Sequence, residues 1–556
     1  MKKENLSFSV RKLAEECSVL TKLFFVAGCL SLFGSPVLAM TIDTENQYLK
    51  VRWDNNVKYS AMTRLKGQDA ELVGEVNHDD GNRNFDKGLV SNRLDLLTEL
   101  DVVYKNTGFR VSGAAWYDDQ YHGVTDNDSP FTYNAQSTGN DNFPSAAKDL
   151  HGSDAELLDA FVFGRFDFNG MPTTLRLGQH TLVFGETLFF GSNGIAAAQG
   201  PVDVVKLLSV PNTQFKELLR PVNQFSFQSQ LNSGWSLTGY YQFEWEKTRL
   251  PDVGSYFSTM DFLGDSAEQL WLAPGFAATR NSDLDADDSG QGGVQLRYTP
   301  KSIDAEFGMY AVRYHDKTPQ PYLSDLVMTP GGLAPTKFRW VFPEAIEAYG
   351  ASFSTLLGDA NVAGELSIRN NMPLVSTAQV DVFGTADNDK NVLYAVGRTA
   401  HINLSAIYAL PSSSLYDNAI FTGEIGWNRL LSVTKNETAL TPNATRDAIG
   451  LRFIFEPSYY QVVPGLDLSV PIGVGYNPKG SSSVVAAFNG GVDDGGDISI
   501  GLKGEYKRDL RFSVNYTHFF GDEATTLEPA ASGYIHTFGQ SLKDRDYLSL
   551  SVQYTF

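Results

Sequence analysis

Hydrophobic and polar residues alternate with a period of two along most of the chain, and the last ten residues show this most simply. One parity carries Leu548, Leu550, Val552, Tyr554 and Phe556, and the positions between them carry hydroxyl or amide side chains. Successive side chains of an extended strand point to opposite faces. The chain therefore ends on a predicted strand with one apolar face and one polar face.

The same alternation predicts about eighteen strands of roughly 9–13 residues, the length of tilted membrane strands. Their connections alternate between short turns and long segments. Two of the short turns are predicted near Pro411 and Pro457, and the first strand is predicted at Asn56–Leu65. The long connections are predicted at 66–92, 121–154, 185–221, 248–291, 316–345, 372–398, 430–444, 477–495 and 521–545.

This pattern predicts an all-β protein, a transmembrane antiparallel β-barrel of about 18 strands with long extracellular loops and short periplasmic turns. The barrel forms a single domain, residues 40–556, in the outer membrane of a Gram-negative bacterium, surrounded by lipid and lipopolysaccharide. A closed barrel pairs its last strand with its first and leaves no edge. The alternative is an exported soluble protein with several sheets, which also alternate. Charged residues on the inward parity and the lack of a second apolar layer favour the barrel.

The first 39 residues form a predicted signal peptide that is cleaved before Met40. Lys2, Lys3, Arg11, Lys12 and Lys22 precede the apolar stretch "LFFVAGCLSLFG", and "SPVLA" ends on small residues. A membrane anchor and a lipoprotein processed at Cys29 are the alternatives. Both cysteines of the chain, Cys17 and Cys29, lie in this leader. The mature chain therefore has no disulfide and no cysteine-based metal site.

Composition excludes several classes of function. The net charge is -21, and removing a leader with five basic and three acidic residues gives -21 - 2 = -23. Nucleic-acid binding needs a basic surface, so no nucleic-acid partner is expected. The common catalytic motifs do not occur, and we expect neither an enzyme nor a cofactor. The acidic run "DLDADDSGQGGV" lacks the Gly and the final Glu of an EF-hand loop, so no metal site is predicted.

The candidate lumen-lining residues are those at the alternate strand positions that are predicted to face the interior of the barrel. Ion pairs that brace the wall of a water-filled lumen are the alternative role for the charged members. The large aromatic members favour a hydrophobic or amphipathic cargo. The candidates are Asp95, Glu99, Arg110, Trp116, Asp159, Phe161, Phe163, Arg165, Arg176, Glu244, Glu365, Arg369 and Arg452.

The long connection 185–221 is the candidate constriction of the lumen. Its sequence "GPVDVVKLLSVPNTQFKELLRP" predicts two short helices around Pro211. Because an exposed apolar helix is costly in water, we expect the loop to enter the lumen or cap its mouth. Packing against other loops is the alternative. The candidate constriction residues are Lys206, Phe215, Lys216, Glu217 and Arg220.

Long stretches of the chain resemble the proteobacterial outer-membrane family known as domain of unknown function 1302. They include "DGNRNFDKGLVSNRLDLLTELDV", "YYQFEWEKTRLPDVGSYFSTMDFLGD" and "VVPGLDLSVPIGVGYNPKGSSSV". The resemblance implies a barrel, a periplasmic lipid-carrier-like partner and an inner-membrane transporter of the resistance-nodulation-division type. The segment "LRLGQHTLVFGE" departs from the family pattern at "GQH" and "VFGE". The final Tyr554 and Phe556 resemble the signal that the barrel assembly machinery reads.

These observations predict an outer-membrane channel that passes a hydrophobic or amphipathic small molecule or lipid. The first alternative is a porin for small polar solutes. The second is a surface structural or adhesion protein for which the barrel is only an anchor.

Overall fold

The computed structural model describes residues 40–42, 44–213, 215–530 and 533–556, and the predicted signal peptide, 1–39, lies outside the described residues. The side chains of Met40, Thr41, Phe215 and Lys216 are likewise not described. Within these ranges, no helix is both long enough and apolar enough to cross a membrane.

Eighteen antiparallel strands form one closed barrel, which confirms the predicted fold class. The fifteenth strand is interrupted after Ser469 and continues from Ile472. The strands are β1 (Leu49–Arg64), β2 (Gly88–Tyr104), β3 (Thr107–Asp118), β4 (Ser153–Phe168), β5 (Met171–His180), β6 (Val222–Gln230), β7 (Trp235–Gln242), β8 (Gln291–Tyr298), β9 (Ala305–Tyr314), β10 (Ile346–Leu357), β11 (Ala360–Pro373), β12 (Val396–Leu410), β13 (Asn418–Lys435), β14 (Asp447–Val463), β15 (Leu466–Ser469 and Ile472–Lys479), β16 (Gly495–Tyr506), β17 (Leu510–Phe520) and β18 (Tyr547–Thr555).

The last strand closes the barrel against the first. Strand β18 pairs with β1 from Asn56↔Thr555 to Arg64↔Tyr547, and with β17 on its other side. The pairing continues one residue further, because Asn55 and Phe556 exchange backbone hydrogen bonds of 2.7 and 2.9 Å. The alternating C-terminal residues therefore form the strand that removes the open edge.

The connections alternate in length as the sequence predicts, with eight short turns and nine long loops between consecutive strands. One predicted turn is wrong. Pro457 lies within β14, where it pairs with Ala419, and the chain turns instead at Pro464 and Gly465. The Pro457 carbonyl accepts from the Val470 N–H at 3.0 Å, at the interruption of β15, so its missing N–H falls where the ladder between β14 and β15 is already broken.

Burial separates the two faces of the barrel. On β2, Leu94 and Leu96 are 48% and 42% exposed, whereas Arg93, on the opposite face of the same strand, is 3% exposed. On β18, Leu548 faces outward, and Ser549 and Ser551 are each 2% exposed. An apolar outer face and a polar inner face are what a barrel in lipid requires.

The loop 181–221 folds into the lumen, and the other long loops form a structured layer above the barrel. Short helices occur in both the lumen loop and the layer: Asp80–Arg83, Asp119–His122, Ser145–Ala147, Lys148–Gly152, Ile195–Ala198, Val204–Ser209, Phe215–Leu218, Glu437–Ala439 and Phe488–Gly490. The strands of the layer are Gln269–Ala273, Phe276–Arg280, Gln320–Thr329, Gly332–Val341, Gln379–Val380, Leu527–Ala530 and Gly533–His536. A further strand, Met40–Ile42, pairs with β1 before the barrel begins. Phe262 and Trp340 stack at 5.8 Å in the core of this layer.

Closure by main-chain bonds leads to a first prediction. Deleting Phe556 should lower the amount of assembled barrel, because it removes the last pair of hydrogen bonds to β1, whereas Phe556→Ala retains both bonds. The measurement is heat-modifiable migration in gel electrophoresis of membrane fractions. Equal loss of assembly in both variants would show that the side chain matters, and normal levels of the deletion variant would contradict the prediction.

Candidate functional site

Two inward-facing carboxylates hold the backbone of the loop 181–221 inside the lumen. On β11, Glu365 accepts hydrogen bonds from the backbone N–H of Glu186 at 2.7 Å and of Ile195 at 2.8 Å. On β13, Glu424 accepts from the N–H groups of Leu188, Phe189 and Phe190. Carboxylates that accept backbone N–H groups form strong, charge-assisted hydrogen bonds. The first half of the loop is therefore docked onto the barrel wall through its main chain.

A guanidinium satisfies the carbonyl groups of the same turn. Arg369, which is 2% exposed, donates to the carbonyl oxygens of Ser192 at 3.1 Å, Asn193 at 2.8 Å and Gly194 at 2.8 Å. The Asn193 side chain donates to Asn403 at 2.7 Å and accepts from Asn428 at 3.2 Å. We call Glu365, Arg369 and Glu424 the loop clamp. It binds both donors and acceptors of one irregular backbone segment, as buried polar groups require.

An apolar contact accompanies the clamp. Phe184 and Ile195 of the loop belong to one buried cluster with Tyr240, Tyr310 and Ile346, which project from three barrel strands. Phe184 meets Tyr240 edge to face at 5.4 Å. Apolar side chains on the inward face are thus used to seat the loop, in addition to any contact with a cargo.

The second half of the loop reaches other strands of the wall. Helix Val204–Ser209 begins at Asp203, whose carboxylate accepts from the Lys206 N–H at 2.8 Å. At the tip, Asn212 donates to Ser551 of β18 at 3.1 Å and to Ser513 of β17. The loop therefore contacts β11–β13 with one half and β17 and β18 with the other, so it crosses the lumen.

Lys206, one of the predicted constriction residues, lies in a compact charged cluster beside Trp116. Its Nζ is 2.7 Å from Glu156 of β4, and Arg249 is 2.7 Å from the other oxygen of that carboxylate. Trp116 is 5% exposed, and the cations of Arg93, Lys206 and Arg249 lie 5.2–5.7 Å from its ring.

Little space remains between this part of the loop and the wall. A cavity of about 30 Å³ is lined by Lys58, Asp95, Trp116, Lys206 and Glu217, among other residues. That volume is roughly the space of one water molecule. Glu217 of the loop and Asp95 of the wall thus line the same small cavity, and Asp95 also pairs with Arg93 at 2.8 Å.

Several predicted lumen residues form ion pairs within the barrel wall. Arg110 pairs with Glu99, with Asp101 at 3.4 Å and with Asp159 at 3.2 Å. On the other side of the barrel, Arg452 pairs with Asp497. Because their charges are matched by neighbouring strands, these groups tie adjacent strands together.

Four predicted residues form a different surface on β4 and β5, which we call the aromatic–arginine face. Phe161 and Phe163 share the inward parity at a centroid distance of 6.2 Å. Arg176 pairs across the strands with Phe163, and its guanidinium lies 5.9 Å from the Phe161 ring. Arg165 is exposed two residues beyond Phe163. Within the described chain, neither Arg165 nor Arg176 has a side-chain ion pair. This face combines apolar rings with two cations that are not neutralised by direct contact.

The remaining predicted residues lie elsewhere. Glu244 follows the end of β7 and accepts from Asn223 at 2.8 Å, in an open groove of about 550 Å³ that also contains the outward-facing Leu177 and Phe243. The strand ends at Gln242, so strict alternation no longer places Glu244 in the lumen. Arg220 pairs with Glu246 at 3.4 Å in a contact between two loops. The side chains of Phe215 and Lys216 lie outside the described residues.

Sequence reasoning missed Glu424, Asn193 and the inward polar residues of β12 and β13. A signal was present in "HINLS", where His401 and Asn403 alternate with exposed Ile402 and Leu404. The prediction also placed the constriction in the helical part of the loop. The segment 186–195 has few charged residues, so nothing in its own composition indicates that wall carboxylates bind its backbone.

Fold and site together define an 18-stranded transmembrane β-barrel with a long loop folded into its lumen. The chain belongs to the family described as "Protein of unknown function (DUF1302)", which matches residues 21–556. This confirms the resemblance seen in the sequence. No curated protein matches the chain.

Solved outer-membrane barrels are distantly similar. OccAB1 of Acinetobacter baumannii shares 11% identity at a TM-score of 0.43, covering 91% of this chain and 96% of that one. OpdK of Pseudomonas aeruginosa, solved with vanillate, shares 11% identity at a TM-score of 0.40, covering 91% and 98%. DcaP, an outer-membrane channel of Acinetobacter baumannii, shares 10% identity at a TM-score of 0.38, covering 93% and 100%.

The loop clamp leads to a second prediction. Glu424→Ala removes the acceptor of three backbone N–H groups, and hydrogen bonds to charged groups contribute about 1.5–3 kcal/mol each. Docking of the segment 188–190 should therefore weaken by at least about 2 kcal/mol. The expected result is faster protease cleavage within 181–221 of the folded barrel.

The matched control is Glu456→Ala, an inward-facing carboxylate that binds Lys503 at 3.1 Å and Ser469 at 2.6 Å in the wall. It should leave cleavage of the loop unchanged. Similar cleavage rates for Glu424→Ala and the unmodified protein would show that the clamp does not hold the loop.

Proposed function

We propose that the protein is an outer-membrane channel that passes small amphipathic molecules through a lumen constricted by the loop 181–221. The observation that carries this proposal is the docking of that loop between two separate parts of the inner wall. The loop clamp holds one half at β11 and β13, and Asn212 contacts β17 and β18 with the other. A barrel that served only as an anchor has no need for a polar wall that binds an internal loop.

The aromatic–arginine face supports the cargo class. Phe161 and Phe163 offer apolar contact, and Arg165 and Arg176 offer guanidinium groups that no carboxylate of the described chain contacts directly. A guanidinium binds carboxylate and phosphate oxygens with two donors at once. A compact apolar body with one acidic group therefore fits this face best. Glu99, Asp101 and Asp159 lie next to it, but Arg110 already binds all three.

The ion-paired charged residues elsewhere in the lumen wall, such as Arg110 and Arg452, favour the second candidate, a porin for small polar solutes. Mixed charge without an apolar surface is expected of such a channel. The periplasmic carrier and the inner-membrane transporter implied by the family stay predictions, and neither is needed for the tests below.

Deletion of 201–219 tests the constriction. Arg220 N–H donates to the Pro201 carbonyl at 3.0 Å, and Val202 bridges Leu219, so the two ends of the segment lie side by side and can be rejoined. Single-channel conductance in planar bilayers should rise several-fold. Unchanged conductance would overturn the constriction, and a protein that never conducts would favour the structural or adhesion reading.

Substitution of the aromatic–arginine face tests the cargo. Arg165→Gln with Arg176→Gln should slow uptake of an aromatic carboxylate into liposomes several-fold, and Phe161→Ser with Phe163→Ser should do the same while leaving chloride current largely intact. The matched control is Arg511→Gln, because Arg511 already pairs with Glu505 at 2.9 Å. If neutral sugars and aromatic carboxylates pass equally well in every variant, the porin for polar solutes is the better description.

A further inference from the structure

Three carboxylates are buried together in the loop layer above the barrel, away from the lumen site. Asp79 and Asp80 belong to the loop between β1 and β2, and Asp261 belongs to the loop between β7 and β8. All three are 0% exposed. One carboxylate oxygen of each lies within 4.8 Å of the others. Three negative charges at this spacing in a buried site repel strongly unless something neutralises them.

The protein itself supplies only part of what these groups need. Arg83 donates to one oxygen of Asp79, the Asn134 N–H donates to Asp80 at 3.0 Å, and the Asp80 N–H donates to Asp261 at 3.1 Å. In the described chain, the Oδ1 atoms of Asp79, Asp80 and Asp261 have no hydrogen-bond partner. Each carboxylate thus has one oxygen without a well-aligned donor, although the side chains of Thr132 and Asn127 lie near Asp79 and Asp80 and the buried Arg545 guanidinium lies near Asp261.

A fourth, uncharged oxygen close to this group is also unsatisfied. Asn134 comes from a third loop, is 0% exposed, and is joined to Asp80 through its own N–H. Its Nδ2 donates to Asn77 at 3.1 Å and to the Gln269 carbonyl at 3.2 Å, whereas its Oδ1 has no partner among the described residues. The Asn134 amide oxygen is a neutral ligand that a cation can bind directly, whereas a protonated carboxyl group beside it would donate a hydrogen bond to it, so the response to added metal distinguishes the two.

From this arrangement we infer that Asp79, Asp80 and Asp261, with the Asn134 amide oxygen, bind a divalent cation that joins three extracellular loops. The donors are all oxygen, which suits the hard ions Ca²⁺ and Mg²⁺. The ligands come from separate irregular loops, which suits Ca²⁺ better, because Mg²⁺ demands near-ideal octahedral geometry. Such an ion would link the long loops above the barrel to one another without contacting the loop clamp.

Bound protons are the competing way to neutralise the site. Burial raises the pKa of Asp79 to about 6, and burial with the neighbouring carboxylates raises the pKa of Asp80 and Asp261 well above their ordinary values. The two explanations differ in what they predict for added metal, so one set of measurements separates them.

The test uses the full barrel, refolded in detergent without lipopolysaccharide and freed of metal with EDTA. Titration calorimetry with CaCl₂ at pH 7.5 should give one site per chain, and Ca²⁺ should slow protease cleavage of the loops 65–87 and 243–290 several-fold. Asp80→Asn and Asp261→Asn should each weaken Ca²⁺ binding at least tenfold. The control Asp285→Asn with Asp287→Asn removes two exposed carboxylates of the acidic run and should bind Ca²⁺ normally.

Each contrary outcome is decisive. If the unmodified protein neither binds Ca²⁺ or Mg²⁺ nor gains protection from cleavage, protons neutralise the site and the inference fails. If the substitutions leave affinity unchanged, the ion binds elsewhere. Because the protection assay on the unmodified protein needs no variant, a failure of Asp80→Asn or Asp261→Asn to fold does not leave the inference untested.

Discussion

The requirement that every backbone N–H and C=O group be paired inside a membrane governs this molecule. A strand with a free edge in hydrocarbon would leave a row of unsatisfied groups, so a sheet in the bilayer must close on itself. Here β18 meets β1 over nine residue pairs, and Asn55 and Phe556 add a further pair. Once the cylinder is closed, the two faces of every strand acquire fixed environments. The outer face can be apolar because lipid surrounds it, and the inner face must be compatible with water and with the loop that enters the lumen.

Side chains of the inner face also pair with the backbone N–H and C=O groups of the loop that enters the lumen. An irregular segment has no partner strand, so its N–H and C=O groups need side chains or water. Glu365 and Glu424 supply acceptors, and Arg369 supplies donors, on a common stretch of wall. Glu365 and Arg369 stand four residues apart on β11, and Glu424 stands two strands away on β13, where inward positions of nearby strands lie side by side. A closed barrel therefore positions a loop with the same side chains that an open sheet would expose to solvent.

The sequence predicts the barrel well because the period-2 pattern is set by lipid on one face and water on the other, which is a local property. Strand number, the alternation of turn lengths and the closing strand all follow from it. The pattern fails where a strand ends, as at Glu244, and where a proline stays within a strand, as at Pro457. It also cannot show which inward residues meet across the lumen. Asn193 and Asn428 are 235 residues apart in the chain, and only the closed geometry brings them to 3.2 Å. The buried Asp79, Asp80 and Asp261 escape sequence analysis for the same reason.

The loop clamp holds main-chain atoms rather than side chains, and this has a consequence for how such a channel can change. Any residue except proline offers the N–H groups that Glu365 and Glu424 bind, and every residue offers the carbonyl groups that Arg369 binds. The side chains of the segment 186–195 that point toward the open lumen can therefore be exchanged while the loop keeps its path. Apart from side-chain contacts such as those of Asn193 and Ile195, docking of this segment then depends on its main-chain atoms. A barrel built in this way is a scaffold on which new permeation properties can be engineered by replacing loop side chains alone.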